Sequence, residues 1–163
     1  MEKSKWMLES DGVLVRDENG QVLLSSWRKI RPCHSVEEAE AEACLEGARL
    51  VAEWIRQPTT FEMDCSNMVN EIKVGTDTRS QRAGIIADIL GVVRLLPEYR
   101  FQYVNRSSNQ AAHLLAKRAS ECRECVVMRH QIPECIRDIV HEEGRGAFRS
   151  CIYDLQGIVW GAL

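Results

Sequence analysis

Two hydrophobic periods alternate along this chain, and the switches between them outline its elements. Val13-Leu14-Val15 and the run over 21–27 have strand character, and Asp17-Glu18-Asn19-Gly20 lies between them. The Asn-Gly pair supplies the positive φ of a tight reversal, so the pattern predicts a β-hairpin. Ser35 with Glu38 three residues on has the form of a capping box; a helical apolar period then runs over 36–57 and halts at Pro58. Residues 59–64 predict a strand, 65–73 a short helix, 75–81 a polar loop and 82–96 a helix closed by Pro97. Tyr99-Arg100-Phe101-Gln102-Tyr103 alternates as a half-buried strand, and 109–120 returns to helical spacing. Hairpin, helix, strand, helices, strand, helix is the order of an α/β fold, a mixed central sheet flanked by helices.

The remainder is less regular. Residues 125–128 form a short apolar run, 133–143 have helical character, and 144–163 fit no single period. The chain therefore divides into a domain over 1–130 and a C-terminal extension over 131–163. Within the extension, Tyr153-Asp154-Leu155-Gln156-Gly157-Ile158-Val159 echoes Arg16-Asp17-Glu18-Asn19-Gly20-Gln21-Val22. Strand, Asp-x-x-Gly turn and strand is a common hairpin recipe; the other reading is a truncated second copy of the opening hairpin.

Composition narrows the function classes. At 163 residues, with 45% hydrophobic and 28% charged residues, the chain suits one globular domain plus a tail. A net charge of -3 argues against a strongly basic nucleic-acid binder, so any such contact must be local or metal-assisted. No stretch approaches the roughly 20 apolar residues of a membrane helix, and no signal peptide is visible at the start, which predicts a nuclear or cytoplasmic setting and no membrane partner. Seven cysteines without a secretion signal favour free thiols over a disulfide framework.

Carboxylates then change the picture. On a helical wheel of about 100° per residue, Val36, Ala43, Cys44, Gly47, Leu50, Val51 and Trp54 fall within roughly 80° of Glu40. Glu40 thus belongs to the apolar stripe, where a carboxylate costs several kcal/mol unless it is paired, protonated or metal-bound, or snorkels from the stripe's end. Asp64 closes the run Thr59-Thr60-Phe61-Glu62-Met63 where strand passes into helix, a place suited to a functional group or to a helix N-cap.

Three blocks carry a resemblance: Ala39-Glu40-Ala41-Glu42-Ala43-Cys44-Leu45-Glu46-Gly47, Glu62-Met63-Asp64-Cys65-Ser66-Asn67, and Arg106-Ser107-Ser108-Asn109-Gln110-Ala111-Ala112-His113-Leu114-Leu115-Ala116. With the hairpin Val15-Arg16-Asp17-Glu18-Asn19-Gly20 before them, the chain resembles the plant ribonuclease H-like domain family over about residues 5–130. That family is related to the ribonuclease H segment of retroelement reverse transcriptases. The resemblance implies four acidic residues holding two Mg²⁺ or Mn²⁺ ions over a phosphodiester of an RNA/DNA hybrid, hard oxygen ligands for hard cations. It implies Asp11, Glu40, Asp64 and His113 as the catalytic set, the first three as metal ligands. Nucleic acid, an RNA/DNA hybrid or structured RNA, would be held through backbone and 2′-hydroxyl contacts, with Arg28, Lys29, Asn67, Arg106 and Asn109 as candidates.

The sequence departs from that family at two places. His113 occupies the fourth carboxylate's position; histidine occurs there in plant relatives, but imidazole is a poor substitute for an anionic oxygen on Mg²⁺. Asp11-Gly12 matches the end of the family's first strand, yet Val13 continues directly into the second without the family's glycine-rich connection. Either the first strand is displaced or it merges with the second, and a merger would part Asp11 from Glu40 and Asp64. A non-catalytic nucleic-acid or protein interaction module therefore remains an alternative to a hybrid-cleaving nuclease, as does an incomplete product of a longer gene or retroelement.

Two further patterns lie outside these blocks. Cys122-x2-Cys125-x4-His130-x4-Cys135 has the spacing of a zinc knuckle, but Val126 and Arg129 replace the glycines its loops need, which disfavours zinc. Trp27-Arg28-Lys29-Ile30-Arg31-Pro32 sets an aromatic among cations, either a backbone-tracking surface or a solvated loop.

Overall fold

Asp17 and Gly20 make the first reversal. Asp17 Oδ1 accepts from the backbone N–H groups of Asn19 and Gln21, and Gly20 takes φ +79°. Around that turn β1 (Ser10–Arg16) and β2 (Val22–Lys29) pair antiparallel, as the sequence predicts. The structure, a computed structural model, describes residues 10–29, 32–75, 82–122, 124–146 and 156–162.

Helix α1 (Val36–Trp54) starts at Ser35, whose hydroxyl accepts from the Glu38 N–H. The Glu38 carboxylate reaches back to the His34 N–H, one residue beyond the partner an ideal capping box would give it. The helix ends three residues before the expected stop because Arg56 turns into the left-handed region at φ +56°. Val36 and Trp54, placed on the buried stripe by periodicity, are 51% and 43% exposed at the helix ends, and over the Trp54 ring stands the guanidinium of Arg129 of the strand near 125, 5.1 Å from its centre. Strand β3 (Thr59–Met63), α2 (Ser66–Val74), α3 (Ala83–Val93), β4 (Tyr99–Tyr103) and α4 (Gln110–Glu121) follow within one to three residues of the predicted bounds. Most of the predicted loop over 75–81 lies outside the described residues. The apolar run near 125 is β5 (Val126–Arg129), and a 3-10 turn leads into α5 (Arg137–Gly146).

The segment that fitted no period supplies β6 (Gln156–Ala162), which lies in the middle of the sheet. Strand order is β4-β3-β6-β1-β2-β5. β6 runs parallel to β3 and antiparallel to β1, with Gly157 opposite Arg16 and Ala162 opposite Asp11. Gly157 therefore lies within a strand, while the Tyr153-Asp154-Leu155 part of the echo falls outside the described residues.

Each face of the sheet carries its own core. Val13 and Val15 of β1 join Phe61, Met63 and Phe101 beneath α1, α2 and α3, with Phe61 and Phe101 stacked at 4.8 Å. Leu14 points the other way, to Leu115 and Ala119 of α4 and to Ile136 and Val140 around α5. β1 is thus apolar on both sides, the signature of an interior strand. Gly12 allows α4 to lie directly on it, since a Cβ there would meet the Ala112 carbonyl oxygen at 2.3 Å. Among the described residues no helix is long and apolar enough to cross a membrane.

Candidate functional site

Three of the expected site residues come together at one end of the sheet. Asp64 follows the last residue of β3, and its Oδ2 lies 2.7 Å from Nε2 of His113 on α4. Both side chains are nearly buried, at 12% and 14% exposure, so this contact is largely shielded from solvent. Asp64 does not cap α2; Cys65 holds that position without a side-chain cap bond, and the Asp64 carboxylate is turned to His113 instead. Burial pushes the Asp64 carboxyl upward, but the hydrogen bond and charge of His113 and the charge of Arg106 outweigh it, and the net shift is downward.

Glu40 approaches from α1. Burial, then the charge of Asp64, raises its carboxyl, while the Cys65 thiol donates a hydrogen bond to it. Sequence reasoning missed Cys65, whose only signal was its place directly after Asp64. Two carboxyls, a thiol and an imidazole thus face one small region, and the guanidinium of exposed Arg106 stands close enough to bias both acids.

Asp11 is elsewhere. It is the second residue of β1, in the same strand as Val13, while most of the expected first strand, residues 5–9, lies outside the described residues. Its Oδ2 accepts from Arg28 Nε at 3.1 Å, and Arg28 Nη2 in turn meets Glu46 of α1 at 3.2 Å. Among the described residues Asp11 Oδ1 has no hydrogen-bond partner, and burial pushes the carboxyl up to about 6 despite Arg28. Glu46 was overlooked because it reads as one more acidic residue of an amphipathic helix; only its partner's position gives it a role.

The other expected nucleic-acid contacts divide by exposure. Lys29, Asn67 and Arg106 are exposed. Arg28 is committed to the two acids, and Asn109 is fully buried ahead of α4, so neither offers a free surface group. Trp27 belongs to the second core and is not a platform for a base. The six described cysteines are free thiols, with Cys125 and Cys135 exposed on either side of β5.

A mixed sheet with helices on both faces and acidic groups at the end of β3 defines a ribonuclease H-like domain. The reverse transcriptase-like family model matches residues 9–119, more than half of the chain, and this protein belongs to that family. Ribonuclease H1 of the halophilic archaeon Halobacterium salinarum has a similar structure, with TM-score 0.66 and 14% identity over 74% of this chain and 92% of that one. The N-terminal ribonuclease H domain of a Mycobacterium tuberculosis protein, solved fused to maltose-binding protein, gives TM-score 0.56 and 13% identity over 68% and 91%. No curated protein matches the chain significantly.

The two divalent cations such a family implies can be tested against the donors present. Carboxylates that share a cation must converge within a few ångströms of one another. Asp11 lies on a strand separated from β3 by β6, a backbone spacing of about 10 Å, and it is held by Arg28. The register of β3 with β6 ends at Glu62 opposite Val159; carried two residues further it would set Gly161 level with Asp64, and residues 156–162 include no carboxylate. Among the described residues no group of three His, Cys, Asp or Glu is arranged to hold a metal ion, the zinc-knuckle spacing over Cys122 to Cys135 included. The described residues do not fit a two-cation centre.

Proposed function

We propose that this ribonuclease H-type domain binds nucleic acid of the RNA/DNA hybrid class without hydrolysing it. The observation that carries this reading is the occupation of the sheet position beside β3 by β6, with glycine and alanine at its end, while Asp11 is tied to Arg28. Hydrolysis of a phosphodiester needs the attacking water activated and the leaving oxygen stabilised together, and two carboxyls with an imidazole supply too little negative charge for that pair of cations. Binding asks less. Exposed Arg106, Lys29 and Asn67 can neutralise or hydrogen-bond the sugar-phosphate backbone, a mode suited to a chain whose net charge is only -3.

A second reading, metal-dependent endonucleolytic cleavage of the RNA strand with Mg²⁺ or Mn²⁺, is favoured by one observation: Glu40 and Asp64 are close enough to raise the Glu40 carboxyl. The two separate in one experiment. Fluorescence anisotropy with an RNA/DNA hybrid should show binding that weakens with salt, and the same hybrid incubated with either cation should stay intact. Turnover by the natural chain that Glu40→Gln or Asp64→Asn abolishes would replace the first reading with the second.

A further inference from the structure

Helix α4 has two faces, and the sheet uses only one. Ala111, Ala112, Leu115 and Ala119 are buried against β1 and the second core. Gln110, His113, Leu114 and Lys117, at helical spacings of three and four, form a second stripe that the sheet leaves uncovered. A cavity of about 550 Å³ lies over this stripe. The turn before the helix contributes Arg106 and Ser107, and Ile139 of α5 forms the far wall. Val140, the next residue, is buried in the second core and fixes α5 in place. Ile139 lies beyond residues 9–119, so this one wall comes from outside the family match while the other lining residues lie within it.

The chemistry of the walls restricts the ligand. Arg106 and Lys117 are exposed cations with no ion pair among the described residues, and no carboxylate lines the cavity. Nearby Asp64 is occupied by His113, and Glu40 by Cys65. Two cations and no carboxylate thus line the cavity, with the Asp64 carboxylate set behind His113. A bare phosphate would leave most of this volume and the apolar surface of Leu114 and Ile139 unused, whereas a purely apolar ligand would leave two cations without a partner. A planar heterocycle against the aliphatic wall, a sugar beside the Ser107 hydroxyl and Gln110 amide, and a phosphate between a guanidinium fork and an ammonium would use every part. We propose that this α4–α5 cavity is a binding site for a nucleoside phosphate, free in solution or at the end of a nucleic-acid strand. Only the strand-borne form rests on the nucleic-acid reading above.

Calorimetric titration of the full chain with AMP, adenosine, inorganic phosphate and a 5′-phosphorylated oligonucleotide tests this. AMP should bind at least tenfold more tightly than adenosine or phosphate. Lys117→Glu should weaken AMP binding tenfold or more, and Lys73→Glu on exposed α2 should not. Ile139→Glu should weaken it as well, with an unchanged thermal transition showing that the variant is folded. Tighter binding of the oligonucleotide than of AMP assigns the site to strand ends, and the reverse order assigns it to free nucleotide; either supports the site. AMP bound no better than phosphate, or equally by Lys117→Glu and the natural chain, overturns it. Loss of AMP binding with hybrid binding intact would remove this site alone, whereas loss of hybrid binding with AMP retained would remove only the nucleic-acid reading.

Discussion

The Asp11 carboxyl, fully buried beside Arg28, titrates near 6 where its ordinary value is 3.8. The native state thus holds a proton that the unfolded chain releases earlier. The stability this contributes is complete below about pH 4 and is lost as pH rises through about 6. Urea unfolding of Asp11→Asn against the natural chain should accordingly show a flatter decline between pH 4 and 7, with parallel profiles counting against the assignment. Glu40 shifts in the same direction and Asp64 in the opposite one, so the difference between the two proteins, and not either profile alone, isolates Asp11. One residue along, Gly12 works through absence. An alanine Cβ would meet α4 backbone at 2.3 and 2.5 Å, where no side chain can rotate aside. Gly12→Ala should destabilise the fold by about 3 kcal/mol, measured by the same unfolding, because the overpacking has no flexible neighbour to relax it. Both residues read in the sequence as the end of a catalytic strand, and each has a structural task in the fold.

At the scale of elements, local rules account for most of what forms. Ser35 caps α1, Gly20 turns the hairpin and Pro58 prevents the helix from continuing. Ser35→Ala should cost about 1 kcal/mol of stability in urea unfolding, the ordinary value of a lost N-cap. The same rules fail where partners decide. Asp64 had the sequence position of a cap, yet it forgoes the α2 backbone for the imidazole of His113, because α4 brings that ring to 2.7 Å. Val36 and Trp54 had the periodicity of core residues and are open to solvent, because they sit at the ends of α1, where Trp54 meets the charged side chain of Arg129 and not an apolar layer.

For the whole molecule, the central event is the entry of residues 156–162 between β1 and β3. Without β6 these two strands would be unpaired edges, and Val13, Leu14 and Val15 would flank an open slot. A chain ending at Gly146 should therefore unfold at lower temperature and form larger species in size-exclusion chromatography with light scattering; an unchanged melting temperature and a monomeric profile would contradict a central β6. The grouping of Glu40, Asp64 and His113 came from the family resemblance, whereas the α/β order of the first eight strands and helices was legible in the sequence, because periodicity and caps are local properties. The partition of the acids was not, since Glu46 and Arg28 are 18 residues apart in the chain and meet only when α1 lies on the sheet. Nor was the place of β6, whose seven residues carry no period that distinguishes an edge strand from a central one. Chain-local forces determined which segments become helix or strand; long-range pairing alone decided that the position beside β3 would hold glycine and alanine in place of a carboxylate.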